Sequence, residues 1–316
     1  MTLVIGTDEA GYGPNLGPLV VAATAWEVEA DAAAAEAAVM AAVAEAAAPW
    51  GDSKQIYRGG DGFPALETGA LAGLAIATGT CPSSWEMIAA RSGLDMTATG
   101  SEAAAPLAGL AIPVAADPAA VDAAATRIAT RLAERGVRLV AVRCRAIPPR
   151  EFNARLDGGL NKSDILSEAT LDLAAGMLAD AAADHAGDTL VWCDRHGGRK
   201  RYAAAVARHF TGGTAGPLVQ ALEETPARST YVVPDRRCRV EFCVGGEARA
   251  PVALASMTAK YVRELAMLAF NRFWAARVPG LAPTAGYPVD ARRWWQAAGT
   301  AIDAAGLPRD SIWRRV

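Results

Sequence analysis

The sequence predicts an α/β fold: a mixed sheet that opens with an antiparallel hairpin and is flanked by helices. Two apolar runs near the N-terminus, residues 3–7 and 19–26, are separated by the glycines and proline of 11–18 at hairpin distance. Further on, short apolar runs at 137–144 and 189–193 are each followed by a helical pattern, at 162–185 and 199–210. A hairpin followed by such alternation puts helices on the faces of a sheet that contains parallel pairs. A chain of 316 residues can bury a substantial core, as one large domain or as a core with an appended part.

The elements follow in order. Residues 3–7 read as a buried strand and 19–26 as its partner; 31–48 is alanine-rich and helical. The stretch 59–118 is rich in Ala, Gly, Pro and Ser, with helical signs near 64–78 and 83–91, and reads as an insertion or a set of peripheral helices. An amphipathic helix over 119–135 sets Val121, Ile128 and Leu132 on one face. After the strand at 137–144, Asn161-Lys162-Ser163 has the character of an N-cap for a helix whose apolar positions are Ile165, Leu166, Leu171, Leu173 and Leu178. The apolar strand at 189–193 ends at Asp194. Strand-like segments at 229–233 and 239–244 precede helices at 252–276 and 289–304, and the tail 309–316 carries Arg309, Arg314 and Arg315. The organisation expected is a core over 1–250, with the insertion at about 59–118, and a helical C-terminal extension over 251–316 packed on it. No internal repeat is visible.

Composition narrows the function classes. The chain is 52% hydrophobic and 21% charged, as in a soluble globular protein, although alanine supplies much of the first figure. Its net charge of -3 argues against a polybasic protein that coats DNA, yet leaves room for a cleft that is positive only locally. The five cysteines, at 81, 144, 193, 238 and 243, form no C-x-x-C pair and suit reduced thiols, so a cytoplasmic location is expected. Three histidines are too few for a histidine-rich metal site. Neither a charged-then-apolar leader pattern nor a bilayer-spanning apolar run is seen, and no membrane association is expected.

The chemistry is concentrated in acids. Asp8-Glu9 sits where the first strand is expected to end, just before Ala10-Gly11-Tyr12-Gly13. Adjacent acids in a regular strand point to opposite faces, so both serve one site only if the strand stops or bends there, which the glycines allow. Asp194 ends a second buried strand and emerges beside them. Carboxylates brought together resist ionisation unless a cation neutralises them, and hard oxygen ligands select Mg²⁺ or Mn²⁺. Two such ions suit phosphodiester hydrolysis. The plainer alternative is a pair of turn carboxylates at a strand end.

Five blocks in order resemble the ribonuclease HII family. Asp8-Glu9-Ala10-Gly11-Tyr12-Gly13-Pro14 with Gly17-Pro18-Leu19-Val20-Val21-Ala22-Ala23 is similar to its Asp-Glu-Ala-Gly-Arg-Gly block and the following strand. Asp52-Ser53-Lys54 resembles its Asp-Ser-Lys element, and Val191-Trp192-Cys193-Asp194 its apolar strand ending in a catalytic Asp. Ala255-Ser256-Met257-Thr258-Ala259-Lys260-Tyr261-Val262-Arg263-Glu264 resembles its Ala-Ser-Ile-x-Ala-Lys helix, and Gly286-Tyr287-Pro288 its Gly-Tyr-Gly. The resemblance implies a ribonuclease H-like fold and a metal-dependent endonuclease acting on RNA in RNA–DNA hybrids or on ribonucleotides embedded in DNA. It implies that Asp8, Glu9 and Asp194 are metal-binding and catalytic. The family's fourth acid falls on Gly246, fourteen positions before Lys260; Glu247, one residue on, is the choice here, with Glu241 in reserve.

The resemblance also implies contacts to nucleic acid from Gly11, Tyr12 and Gly13, from Lys54 and Lys260, and from Tyr287 against a sugar. Gly197-Gly198-Arg199-Lys200-Arg201, read as opening a helix, adds Arg199 as a phosphate contact. His196 beside Asp194 is a weak candidate for proton transfer. Trp294, Trp295 and Trp313 are expected to pack the terminal helix. Tyr12 departs from the family, which has Arg there to help read the ribose 2′-hydroxyl; tyrosine keeps a hydroxyl and a ring but loses the charge and the five-donor fork. The rivals are a nuclease of other specificity and a catalytically silent nucleic-acid-binding homologue. No protein partner is implied.

Overall fold

The computed structural model describes residues 1–57, 62–94, 107–181, 185–210 and 219–315, with the Lys54 side chain outside the description. Strand β1 (Thr2–Ala10) pairs antiparallel with β2 (Leu19–Val28), and β3 (Val137–Ile147) extends the hairpin beyond β2. On its other side β1 lies parallel to β4 (Asp188–Asp194), which in turn is parallel to β7 (Cys238–Cys243). Antiparallel β6 (Arg228–Val233) and β5 (Gln220–Glu224) close the seven-stranded sheet, ordered β3-β2-β1-β4-β7-β6-β5. The expected mixed sheet, opening with an antiparallel hairpin and flanked by helices, is therefore present.

Alternation along the strands sorts the core into two faces. Val4, Leu190 and Trp192 face α9 (Ala250–Ala275), α3 (Gly62–Thr78) and α5 (Pro118–Glu134), with α1 (Ala35–Glu45) and α4 (Trp85–Ser92) beside them. Leu3, Ile5, Val191 and Cys193 face α7 (Lys162–Ala181) and α8 (Ala203–Phe210), next to α6 (Pro149–Asp157). The short α2 (Ser53–Ile56) lies against α9. The end of α9 continues into a third cluster with α10 (Pro288–Ala304), where Phe270, Trp274 and Trp294 pack ring on ring. Trp295 and Trp313 meet edge-to-face at 5.5 Å, so all three expected tryptophans do pack the terminal helix.

One contact fixes where α9 crosses the sheet. A Cβ on Gly6 would lie 2.3 Å from the Pro251 carbonyl carbon, so only glycine lets the helix start this close to β1. Thr24 Oγ1 donates to the Pro251 carbonyl at 2.8 Å from the neighbouring strand.

Four expectations change. The first strand does not stop at residue 7; it stays paired with β2 through Ala10. Far from being peripheral, α3 buries Leu66, Ala70, Leu71 and Leu74 completely. Its buried Glu67 accepts the N–H groups of Val114, Ala115 and Ala116 and the Tyr261 hydroxyl. The remaining residues of the 59–118 stretch, 59–61 and 95–106, lie outside the described residues. Helix α8 begins at Ala203, so Gly197-Gly198 lies in a loop and not at a helix N-terminus. Finally, α6 and β5 were not anticipated. Among the described residues no helix is long and apolar enough to cross a membrane, and the five cysteines form no disulfide.

Candidate functional site

The β1–β4 ladder ends at the pair Thr7 and Cys193. Asp8 and Asp194 are the next residues of these two parallel strands, so they stand side by side where the β1–β4 ladder ends, Asp8 still paired with Ala22 of β2. Both lie on the pleat that faces α9, because each is two or four residues from Gly6, Val4, Trp192 or Leu190. Asp194 is also the last residue paired with β7, opposite Cys243. The chain then turns through a 3-10 turn, Gly246–Ala248, whose Gly246 N–H donates to Asp194 Oδ1 at 2.9 Å. A Cβ on Gly246 would sit 3.1 Å from Asp194 Cα, so this backbone lies against the aspartate and brings Glu247 next to it.

Crowding shows in the electrostatics. The Asp8 carboxyl is pushed up to about 7, chiefly by burial, then by the charge of Asp194, and more weakly by Glu247. Two hydrogen bonds pull the other way: the Glu9 N–H donates to Asp8 Oδ1 at 2.7 Å, and the Ser256 hydroxyl donates from α9. Ser256 Oγ is in turn 3.0 Å from Ser53 Oγ, so two hydroxyls connect the Asp52-Ser53-Lys54 segment to Asp8. Glu9 stands on the opposite pleat of a strand that does not bend, and its charge bears on Tyr12. Glu241 is ion-paired with Arg249 at 2.6 Å and Arg228 at 3.7 Å.

A divalent cation can be tested against this arrangement. Among the described residues no three His, Cys, Asp or Glu side chains already stand as a ligand cage. The donors nevertheless fit in kind: Asp8, Asp194 and Glu247 offer hard carboxylate oxygens whose mutual repulsion a divalent charge would relieve.

The glycine loop after β1 borders the acids. Gly11 has φ +87°, and a Cβ there would meet Arg263 Nε at 2.5 Å and the Pro18 carbonyl at 2.6 Å; no side chain fits. Gly13 lies against Tyr287, whose ring is 3.7 Å from the position of a Gly13 Cβ and which is 52% exposed. The Gly286 carbonyl holds this contact by accepting the N–H groups of Asn15 and Leu16. Half-buried Tyr12 has its hydroxyl near Gly197, and the Lys162 ammonium sits 4.2 Å above its ring. Gly11, Tyr12, Gly13 and Tyr287 are thus brought together from opposite ends of the chain.

The other expected contacts are arranged differently. Arg199 is ion-paired with Asp164 at 2.5 Å. Lys260 pairs with Glu264 at 2.6 Å and lies 4.5 Å over the Tyr57 ring. Lys54 belongs to α2, and its side chain lies outside the described residues. His196 is fully buried between Tyr202 and Phe242, with Nδ1 at 2.9 Å from Ser167 Oγ, and burial pushes it down to about 3. A neutral imidazole walled in by rings on the α7 face has no route to protons at the acids.

Three participants escaped the sequence reading. Ser256 was visible only as part of a motif, not as a donor to Asp8. Arg263 and Arg314, both buried, converge beneath the glycine loop, where Arg314 donates to the Gly11 and Pro14 carbonyls. Their only signal was arginine in an otherwise apolar helix and in the tail.

No protein-family model matches the chain, and no curated protein does. Among solved structures it is similar to a mutant of Bst-RNase HIII, at 15% identity and TM-score 0.47, over 98% of this chain and 65% of that one. The same protein in complex with Mn²⁺ gives 16% and 0.44, over 99% and 66%. RNase HII in its PCNA complex from Archaeoglobus fulgidus gives 14% and 0.41, over 98% and 93%. The chain therefore spans about two thirds of the length of the Bst-RNase HIII structures it matches.

Proposed function

We propose that this protein is a metal-dependent endonuclease of the ribonuclease H type, acting on RNA in RNA–DNA hybrids or on ribonucleotides embedded in DNA. One observation carries the reading: the Asp8 carboxyl, pushed up to about 7, is buried beside Asp194 and within reach of Glu247 at the ends of parallel strands. Such an arrangement is costly without a cation and suits Mg²⁺ or Mn²⁺, with Asp8, Asp194 and Glu247 as the ligands. Glu9, on the opposite pleat, joins them only if the end of β1 shifts when metal binds. The bound ions would supply an activated water and a counter-charge for the leaving oxygen.

The chain's own residues do the positioning. Ser256 and the Glu9 N–H orient Asp8, and the Gly246 N–H orients Asp194. Gly11, Tyr12, Gly13 and Tyr287 form the surface on which the ribose and its neighbour would lie, with the 2′-hydroxyl as the feature read. Lys54 contributes a phosphate contact. Arg199 and Lys260 join only by exchanging their present carboxylate partners for phosphates. Attack on the 5′ side of the ribonucleotide leaves 5′-phosphate and 3′-hydroxyl ends.

Tyr12 favours a second reading, a nuclease of the same chemistry without strict ribose selection, because no guanidinium is present in the loop to anchor the sugar. One assay separates the two. A duplex with a single embedded ribonucleotide and an all-DNA control are incubated with Mg²⁺ or Mn²⁺, and again with a chelator. Metal-dependent cleavage only at the ribonucleotide is expected. Equal cleavage of both duplexes would select the second reading, and no cleavage of either would remove the enzyme altogether.

A further inference from the structure

Lys162 is the first residue of α7, and its ammonium rests over the face of Tyr12. The acids nearest in sequence are committed elsewhere. Asp164 accepts from Arg199 and closes a reciprocal cap with Asn161, which accepts the Asp164 N–H at 3.0 Å while the Asn161 N–H reaches Asp164 Oδ2 at 3.3 Å. Among the described residues no carboxylate forms an ion pair with Lys162. A second cation stands behind it. Arg314 is completely buried, stacks 5.0 Å from the centre of Phe152, and donates only to the backbone of the glycine loop and not to an acid. Its Nε and Nη1, together with Arg263 Nε, make no hydrogen bond. A guanidinium stays protonated under such conditions, so its charge remains.

Arg263, beside Arg314, is ion-paired with Glu264 at 3.8 Å, whereas among the described residues no acid pairs with Arg314. The loop 11–14 is therefore underlain by the fixed positive charge of Arg314, with a lysine at its open side. Burial and the Arg314 charge both disfavour the Lys162 cation. An arriving anion would relieve that repulsion. An aromatic face steadies an ammonium without neutralising it, which leaves its three donors able to turn to a ligand.

We propose that Lys162, seated on the Tyr12 ring, is a phosphate-gripping residue of the glycine loop, supplying the charge that Tyr12 does not carry, with buried Arg314 as the residue that positions the loop. The ligand class is a phosphodiester of the nucleic-acid backbone. This assignment rests on the nucleic-acid reading above and deepens it.

Binding of a fluorescently labelled RNA–DNA hybrid, followed by anisotropy in the presence of a chelator and over a range of salt, tests it without cleavage. Lys162→Met is expected to weaken binding about tenfold at low salt. It should also lower the slope of log affinity against log salt by about one, the signature of one lost phosphate contact. Lys162→Arg should keep both. The lysine lies at a half-buried helix start, so circular dichroism is expected to show a folded variant. Affinity within twofold of wild type and an unchanged slope in Lys162→Met would overturn the assignment. Absence of salt-dependent binding by the wild type itself would overturn the nucleic-acid reading beneath it, and that arm is read separately.

Discussion

Between about pH 4 and 7 the buried Asp8 carboxyl holds a proton that the unfolded chain, with its ordinary value of 3.8, has already released. The folded state thus binds more protons over that window, and stability of the metal-free protein is expected to fall as pH rises through it. Thermal melts in a chelator between pH 4 and 8 should show the decline, and Asp8→Asn should flatten it and raise the melting temperature at pH 8. A flat wild-type profile would mean that Asp8 is not crowded by its neighbours. The two candidates for the fourth acid part at the same scale. Glu247→Gln should cost most of the cleavage activity at little cost in stability. Glu241→Gln should instead cost about 1–3 kcal/mol of stability, because Arg249 and Arg228 lose a buried charged partner. Denaturant melts beside activity assays distinguish them; the opposite pattern would move the site to Glu241. Asp8 and Asp194 were legible in the sequence because each directly follows an apolar run, although β1 continues past a buried Asp8 to Ala10. Glu9 was not, since its side depends on whether β1 bends, and pairing with β2 through Ala10 keeps it straight. The partner of Lys260 was open to the sequence, since Glu264 lies four residues on in the same helix. The partner of Arg199 was not, because a loop residue meets Asp164 of α7 only in three dimensions.

At the scale of elements, the site depends on α9 lying close enough to β1 for Ser256 to reach Asp8. That approach is allowed by Gly6, where an added methyl would overlap the Pro251 backbone. Gly6→Ala is therefore expected to destabilise the fold by at least about 1–3 kcal/mol, the usual cost of overpacking. It should also lower activity by pushing Ser256 away from the acid. Calorimetry together with an activity assay checks both, and a stable, fully active Gly6→Ala would show that α9 can shift without consequence. The hairpin, β4, β7 and α9 were readable from apolar periodicity. Helix α3 was readable from the helical signs near 64–78, but its central place was not, because Gly69 and Gly73 look like loop residues when they are in fact the points where Met257 and Leu254 of α9 approach. Strand β5 escaped for a different reason: Gln220–Glu224 is mostly exposed, so no buried face imposes the alternation that marks a strand.

Across the whole molecule the site divides into two parts held by different pieces of chain. The acids are carried by β1, β4 and the turn after β7, with α9 behind them. The proposed nucleic-acid surface is carried by the loop 11–14, the start of α7, Tyr287 and the C-terminal tail. That tail is tied down by several links: Arg314 N–H to the Asn15 carbonyl at 2.7 Å, Asn15 Nδ2 to the Arg314 carbonyl at 3.0 Å, and Asn153 Nδ2 to the Trp313 carbonyl at 2.8 Å. The Arg314 side chain then reaches back under the loop it borders. Arg314→Met keeps the length and the contact with Phe152 but leaves the Gly11 and Pro14 carbonyls without their donor, at about 1–3 kcal/mol for each that water does not reach. The division of labour sets what else should follow. Binding of an RNA–DNA hybrid should weaken, because the loop loses both its support and a buried charge. Stabilisation by Mn²⁺, read as the shift in melting temperature between chelator and saturating metal, should match that of the wild type, because no metal-facing residue touches the tail. If the Mn²⁺ shift collapses together with nucleic-acid binding, the acids and the loop are one cooperative unit, and the separation argued from these contacts is wrong.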